Sequence, residues 1–305
     1  TLGADESGYI AGGLDRSKTY YFAVAGFNGD NEFNEIVTTE TWSDPYSGAI
    51  SADMTIGGGS QKEIDINQSI VVTNNATVAI APGATLYFAP GTGITVESGA
   101  LIADGTALDP VVLTSANDKA GTTPAPGDWA GVTLGSGDTG SVLRHLFVNY
   151  GQGLKLDGSS PVVEAFTALS NSGAGLLLAN NASLGTTEAL IKYNDTGVRI
   201  ETGGTLTITG SVIKNNLTNA FSDDSQTMNA ADNWWGAMDL AAIEEKVTGS
   251  VNVEPFLDFE PVLTPAIATF DRETTVVSQN VSLQPAGRNA EEMQLSEDSS
   301  FTGVF

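Results

Sequence analysis

The chain has 305 residues, with 37 acidic side chains against 12 basic ones and a formal net charge of −25. A field of this sign repels nucleic acid and anionic membranes, which argues against both as partners. The absence of cysteine excludes disulfides and thiolate metal sites, and the single histidine, His145, excludes a histidine-rich zinc site. No run of about 18 apolar residues occurs, so no membrane insertion is predicted.

The first 48 residues contain two strand patterns joined by a turn-rich loop. In LDRSKTYYFAVAGFN, the residues Tyr20, Phe22 and Val24 occupy alternate positions, and NEIVTTETW forms the second pattern. The linking NGDNEFN has the composition of a hairpin loop. These strands resemble the last strands of a fibronectin type III domain. Residues 1–48 are therefore predicted to be the C-terminal part of a β-sandwich, and the chain is expected to be a piece of a longer precursor.

The loop of this hairpin offers a candidate calcium site. Calcium is bound by six to eight oxygens, and loops rich in carboxylates and amides supply them. No EF-hand or nonapeptide calcium pattern accompanies the loop, so a solvated acidic loop is the favoured interpretation and calcium is the alternative. The oxygen-bearing side chains are Asn28, Asp30, Asn31 and Glu32.

Between residues 50 and 140 the pattern changes to short apolar runs, such as SIVVT, TVAIA, TLYFA and PVVLT. Each run is too short for a helix and is bounded by turn signals that contain Asn, Gly or Pro. Many short strands without intervening helices exclude a βαβ fold. They leave a sandwich, a barrel or a β-solenoid as all-β alternatives.

A repeat of about 22 residues decides among these architectures. The fragments FVNYGQGLKL, ALSNSGAGLLL, IKYNDTGVRI and VIKNNLTNAF each place an apolar strand a few residues after an asparagine. This period is typical of a parallel β-helix with three short strands per coil. We expect the asparagines to form an interior ladder at one turn, although asparagine also favours turns for local reasons. The ladder positions are Asn149, Asn171, Asn194 and either Asn215 or Asn216.

The same alignment predicts a column of inward side chains. One apolar residue of each coil is expected to stack on its counterpart in the next coil, because parallel strands of successive coils pair in register. The predicted column consists of Leu154, Leu176, Val198 and Ala220.

Three further segments carry a family resemblance. GTALDPVVLTS, PGDWAGVTL and DNWWG resemble the right-handed parallel β-helix repeat domains of secreted and surface proteins of bacteria. The resemblance implies a β-helix over residues 49–260, an extracellular or cell-surface location, and a cap made of the helix in DLAAIEEKVTG and a following strand. It also implies that Trp234 and Trp235 close the end of the core, the alternative being a sugar-stacking platform.

The last segment, residues 261–305, contains the strand-like runs TTVVSQNVSLQP and AEEMQLSED. These resemble the first strands of an immunoglobulin-like or fibronectin-like sandwich. Together with residues 1–48 they would make one sandwich of about 100 residues. We therefore predict either an array of alternating modules in a longer chain, or copies joined head to tail by strand complementation. The predicted assembly interface comprises Tyr20, Phe22, Val24, Val281 and Met293.

Two functional hypotheses follow. The leading hypothesis is a structural or adhesive extracellular protein, a filament or surface-fibre subunit without a cofactor. The alternative is a polysaccharide-binding or polysaccharide-cleaving β-helix, since some parallel β-helices are polysaccharide lyases and hydrolases. Cleavage requires carboxylates and a basic residue on one outer face. The candidate catalytic residues are Asp223, Asp224 and Arg199.

Overall fold

The computed structural model describes residues 48–263, apart from 60–61, 120–121 and 224–225, together with Tyr46 and four short N-terminal strands. Those strands form antiparallel pairs: Tyr20–Tyr21 with Thr41–Trp42, and Val24–Phe27 with Phe33–Ile36. The two predicted strand patterns of the first segment are therefore present and pair as a hairpin. Residues 28–32 and 264–305 lie outside the described residues.

The rest of the described chain is a parallel β-solenoid of about nine turns, with about 22 residues per turn and almost no helix. This confirms the predicted all-β solenoid and its period. Each of the first seven coils contributes one strand to each of the three sides of the solenoid, the last two coils contribute strands to two sides, and each strand pairs in parallel with its counterparts in neighbouring coils. We number the sheets I to IV.

Sheets I and III run along most of the solenoid. Sheet I has nine strands: Gly48–Ile50, Ile70–Val72, Ile94–Val96, Val132–Leu134, Leu154–Asp157, Ala174–Ala179, Thr196–Ile200, Thr218–Ser222 and Val247–Thr248. Sheet III has seven strands: Glu63–Ile66, Thr85–Phe88, Val111–Ser115, Leu146–Asn149, Thr167–Leu169, Leu190–Lys192 and Val212–Lys214.

The remaining side of the solenoid is divided between two sheets. Sheet II serves the first five coils and contains Met54–Ile56, Ala76–Ile80, Gly99–Asp104, Val142–Arg144 and Val162–Glu164. Sheet IV serves the last four coils and contains Ser183–Thr187, Thr205–Thr209, Met228–Asn229 and Val251–Asn252.

The predicted inward column is confirmed in sheet I. Leu154, Leu176, Val198 and Ala220 are partners in the parallel register, and each is at most 1% exposed. Successive members are 22 residues apart, so the hydrophobic pattern and the coil length agree. No coil buries its apolar side chains alone, and stacking merges them into one continuous core.

The strands bend into coils at residues with left-handed backbone conformation. One column of such residues separates sheets II and IV from sheet III, and another separates sheet III from sheet I. Because the bend is concentrated in one residue, short strands can meet at a sharp corner. The first column is His145, Ala165, Glu188, Gly210 and Asp232, and the second is Tyr150, Ser170, Tyr193 and Asn215.

One coil carries a long insertion. Ile94 and Val132 are partners in sheet I although they are 38 residues apart. The extra residues follow the strand Val111–Ser115, begin with the short 3₁₀ helix Ala116–Asp118, and lead to Trp129. The Trp129 ring stacks on Phe88 with a centroid separation of 4.3 Å. The insertion is thus fastened to the core at its end.

The C-terminal end of the solenoid is covered by the helix Leu240–Glu244, whose Ile243 is buried. The helix is shorter than the predicted segment from Asp239 to Gly249. It ends early because Val247–Thr248 returns to sheet I, where it pairs with Ala220 and Phe221. The predicted cap strand is present as Val251–Asn252, the last strand of sheet IV. No helix in the described part of the chain is long and apolar enough to cross a membrane.

Neighbouring leucines of one strand test the inward and outward assignment. Leu178 is fully buried and Leu177 faces outward. Leu178→Ala should lower the free energy of unfolding by about 2–5 kcal/mol, because it removes core contacts and leaves a cavity. Leu177→Ala should cost about 1 kcal/mol or less. Urea unfolding followed by circular dichroism measures both, and equal losses would contradict the assignment.

Candidate functional site

The corner between sheets III and I contains a ladder of buried asparagines. The Oδ1 atom of Asn194 accepts hydrogen bonds from the backbone N–H and the Nδ2 of Asn171, both at 2.9 Å. The Oδ1 of Asn216 accepts the same pair of bonds from Asn194, at 2.9 and 3.0 Å. Each rung therefore satisfies a corner amide of the preceding coil, which no strand partner reaches.

The amide nitrogens of the ladder complete the network. The Nδ2 atoms of Asn171, Asn194 and Asn216 donate to carbonyl oxygens of the preceding coil, those of Val148, Ala168 and Ile191, at 3.0 to 3.2 Å. All three asparagines are at most 3% exposed. Buried amides with complete partners stabilise the corner, whereas an unsatisfied one would cost free energy.

The register of the ladder differs from the prediction at Asn149. This residue lies at the end of a sheet III strand, pairs with Leu169, and precedes the ladder position by two residues. Gly151 occupies the ladder position, and its N–H donates to the Oδ1 of Asn171 at 2.9 Å. A Cβ atom on Gly151 would lie 2.7 Å from the indole of Trp129. The insertion therefore fills the space that an asparagine side chain would need there.

In the coil after that of Asn194, the ladder position falls on Asn216 rather than Asn215. Asn215 is exposed and takes the left-handed conformation, with φ of 57°. Asn216 is buried, and its Nδ2 contacts the Oδ1 of Asn219 at 3.2 Å. Asn219 in turn donates to the carbonyl oxygen of Trp235 at 3.4 Å. The ladder thus ends on the DNWWG segment.

A second ladder occupies the corner between sheets IV and III. The N–H of Ala189 donates to the hydroxyl of Ser211, and the N–H of Ser211 donates to the Oδ1 of Asn233, both at 2.9 Å. The Nδ2 of Asn233 donates to Ile208, Ala230 and Ala231 carbonyls. Asn233 is fully buried. The rungs of this ladder are of different residue types, so no repeated residue marks it in the sequence.

The two tryptophans of DNWWG have different positions. Trp235 is 3% exposed and belongs to the core cluster. Trp234 is half-buried and forms a parallel bridge with Val212, which continues sheet III by one residue. Trp235 therefore offers no free ring face to a sugar, and its position agrees with closure of the core.

The candidate catalytic residues lie on or beside the outer face of sheet I. The guanidinium of Arg199 lies 4.7 Å from the ring centre of Phe221, and its Nε is 2.9 Å from Glu201. Within the described part of the chain the Nε has no hydrogen-bond partner, so its contact with Glu201 is an ion pair. Asp223 follows the strand Thr218–Ser222 and accepts from Thr202 at 3.5 Å. Asp224 lies outside the described residues.

A second charged pair lies on the same face, two coils away from Arg199. Lys155 Nζ donates to Asp157 Oδ2 at 2.9 Å, and Asn180 Nδ2 donates to Oδ1 of the same carboxylate. These bonds hold the pKa of Asp157 below its ordinary value, against an opposing effect of burial. Such an arrangement stabilises an ionised carboxylate and gives it no proton to donate near neutral pH.

The insertion contains a carboxylate with a complete set of donors. Asp128 Oδ2 accepts from the hydroxyl of Ser115 at 2.7 Å, from Asn117 Nδ2 at 3.1 Å and from the N–H of Ala125 at 3.0 Å. Burial alone would raise the pKa of Asp128, but these three hydrogen bonds outweigh burial and hold the pKa below its ordinary value. Asp128 therefore organises the loop around a negative charge.

Metal binding has little support from the described residues. No group of three or more His, Asp or Glu side chains with a geometry suited to a metal ion occurs among them. The calcium candidates Asn28, Asp30, Asn31 and Glu32 lie outside the described residues, and calcium binding there stays a prediction. For the assembly residues, the structure describes the strands of Tyr20 and Val24 but leaves out Phe22, Val281 and Met293.

Comparison of the chain with protein-family models, with curated proteins and with solved structures found no match in any of the three. The most developed feature of the chain is the pair of corner ladders that hold successive coils together.

The asparagine ladder predicts a large effect of one substitution. Asn194→Ala would remove the buried acceptor of both the N–H and the Nδ2 of Asn171, so it should lower the free energy of unfolding by at least about 3 kcal/mol. The matched control is Asn215→Gly, which suits the left-handed conformation and should change stability by no more than about 0.5 kcal/mol. Comparable losses in urea unfolding would refute the ladder.

The loop carboxylate predicts a pH dependence. The pKa of Asp128 is lower in the folded protein than in the unfolded chain, so its stabilising contribution is complete above the ordinary value of 3.8 and is lost as the pH falls through the folded-state pKa. Thermal unfolding of Asp128→Asn should therefore show a weaker loss of Tm than the native sequence below about pH 4. Parallel Tm curves for the two proteins over this range would contradict the assignment.

Proposed function

We propose that the protein is a structural or adhesive extracellular protein whose solenoid acts as a rigid spacer in a filament or surface fibre. The observation that supports this best is the continuous nine-strand stack of sheet I, from Gly48–Ile50 to Val247–Thr248. Eight spacings of about 4.8 Å between coils make a rod of roughly 38 Å. A rod of this kind transmits force along its axis through many parallel hydrogen bonds.

The interior supports the same role. The two corner ladders run along the rod axis from Gly151 to Asn216 and from Ala189 to Asn233, and they connect neighbouring coils in that part of the solenoid through buried hydrogen bonds. Because each coil completes the hydrogen bonding of its neighbour, coils do not separate without breaking buried contacts. Stiffness of this kind suits a spacer.

The outer charges also join coils. Arg144 lies between Asp104 and Glu164, its register partners in the two neighbouring coils, at 3.4 and 2.7 Å. Lys62 pairs with Asp109 of a later coil at 3.1 Å. These exposed pairs each contribute little, but the remaining excess of carboxylates gives the rod a net negative charge that opposes lateral aggregation.

The ends of the chain carry the proposed joints. The described N-terminal strands form antiparallel pairs, and a two-stranded sheet needs further strands for stability. Strands from residues 261–305 of a neighbouring copy, or of a neighbouring repeat, would provide them and complete a split sandwich. A joint between different surfaces of two copies does not close on itself and produces a filament. The resemblance stated above implies an extracellular location.

The full chain tests this proposal in sedimentation velocity and negative-stain microscopy. We expect concentration-dependent polymers with rods in a single file. Phe22→Asp combined with Val281→Asp should yield monomers that keep the circular dichroism spectrum of the solenoid, because a charge in the shared core opposes the joint. Thr133→Asp, on the outer face of sheet I, is the matched control and should still polymerise.

Compact monomers of the native sequence at high concentration would refute assembly of free copies. Polymers formed equally well by the double variant would refute the split sandwich as the joint.

A further inference from the structure

The outer side of sheet IV is built entirely from hydroxyl, carboxamide and glycine residues. We call this surface the hydroxyl face. It comprises the outward residues of Ser183–Thr187, Thr205–Thr209, Met228–Asn229 and Val251–Asn252, with Thr227 and Ser250. The alternate residues of these strands, among them Leu184, Leu206 and Met228, are buried in the core and fix the face in place.

The residues of the hydroxyl face form a regular array. Ser183 is the register partner of Thr205, and Gly185, Thr207 and Asn229 are successive partners in three coils. Neighbouring rows are about 4.8 Å apart across the coils, and outward residues repeat about every 6.6 Å along each strand. A ligand with its own regular repeat can therefore meet several hydroxyl groups at once.

The hydroxyl face differs in charge from the other sides of the solenoid. Sheet I carries Arg199 with Glu201 and sheet II carries Arg144 with Glu164, whereas no strand of sheet IV contains a charged residue. Among the described residues, exposed carboxylates lie at the edge of this face, at the corner residues Glu188 and Asp232 and at Glu254. A chain of net charge −25 thus presents one uncharged polar face with an acidic rim.

The side chains on this face are held in order before any ligand arrives. The hydroxyls of Thr227 and Ser250 lie 3.2 Å apart, and Asn252 donates to Asn229 at 3.4 Å across neighbouring coils. Threonine is branched at Cβ and has restricted rotation about χ1. Binding therefore immobilises few rotatable bonds, which lowers its entropic cost.

The charge of the face selects its ligand class. The acidic rim and the net charge repel nucleic acid and acidic polysaccharides, while an uncharged partner meets no such repulsion. Hydroxyl groups both donate and accept hydrogen bonds, so they can match the hydroxyl groups of a sugar polymer in several registers. The spacings above give an area of roughly 200 Å², well below the surface of about 800 Å² per partner of a stable protein interface.

We propose that the hydroxyl face is a docking surface for a neutral polysaccharide, whose repeating hydroxyl groups bind the rows of threonine, serine and asparagine. This site is separate from the head-to-tail joints and does not depend on assembly of copies. It lies on a different side of the solenoid from Arg199 and Asp223, and it requires no covalent chemistry.

Binding of the full chain to microcrystalline cellulose and to chitin tests the proposal, with soluble polygalacturonate as the acidic comparison. We expect retention on at least one neutral polymer, little change of retention with salt, and no binding to polygalacturonate. Thr205→Val with Thr207→Val keeps the branched shape and removes two hydroxyls, and should weaken binding by about tenfold. Thr133→Asp on sheet I is the control and should bind like the native sequence.

Four results would overturn the proposal. The first is no retention on either neutral polymer, and the second is unchanged binding by a Thr205→Asp, Thr207→Asp variant whose circular dichroism spectrum and Tm match those of the native protein. The third is self-association that this variant abolishes, because it would make a second copy the occupant of the face. The fourth is inhibition of ice growth without binding to either polymer, because it would make ordered water the occupant of the face.

Discussion

The structure depends on one constraint: the buried backbone amides at the corners of each coil must find hydrogen-bond partners. Strands satisfy their amides through the neighbouring coils, but a residue just after a sharp bend has no strand partner. The following coil supplies an oxygen instead, from Asn194 to Asn171 at one corner and from Asn233 to Ser211 at the other. A coil is therefore chemically complete only when the next coil is in place.

This constraint explains why the interior is uniform and the exterior is varied. The inward residues are restricted by stacking and by the corner ladders, so Leu154, Leu176 and Val198 are all aliphatic. The outward residues are not restricted in this way. Sheet I carries ion pairs, sheet III holds Lys192 and Lys214 against Glu260, and sheet IV is uncharged. Any specific recognition by this protein therefore depends on the residues of its outer faces.

The sequence predicted the parts of the fold that repeat. The 22-residue period and the column from Leu154 to Ala220 follow directly from hydrophobic spacing. The ladder was misplaced at Asn149 because Gly151 is the residue whose N–H donates to Asn171, and the ring of Trp129, from the preceding insertion, lies where a side chain on Gly151 would stand. Local sequence carries no signal for that contact.

Two further features could not be predicted from the sequence, because each depends on how the coils are arranged in space. Asn215 and Asn216 are adjacent asparagines, and only the three-dimensional bend shows which one points inward. The hydroxyl face arises where sheet IV replaces sheet II along the solenoid, and its rows join residues about 22 positions apart. Threonine at Thr205 or Thr207 has the ordinary appearance of a strand residue until the neighbouring coils are aligned.

Native-state hydrogen exchange at the corner amides tests the central claim most directly. If side chains of the next coil hold these amides, those of Asn171, Asn194, Ala189 and Ser211 should exchange only when several coils unfold together, with one common free energy of opening. Exchange of these amides by separate local openings, as rapidly as amides in exposed turns, would contradict the account.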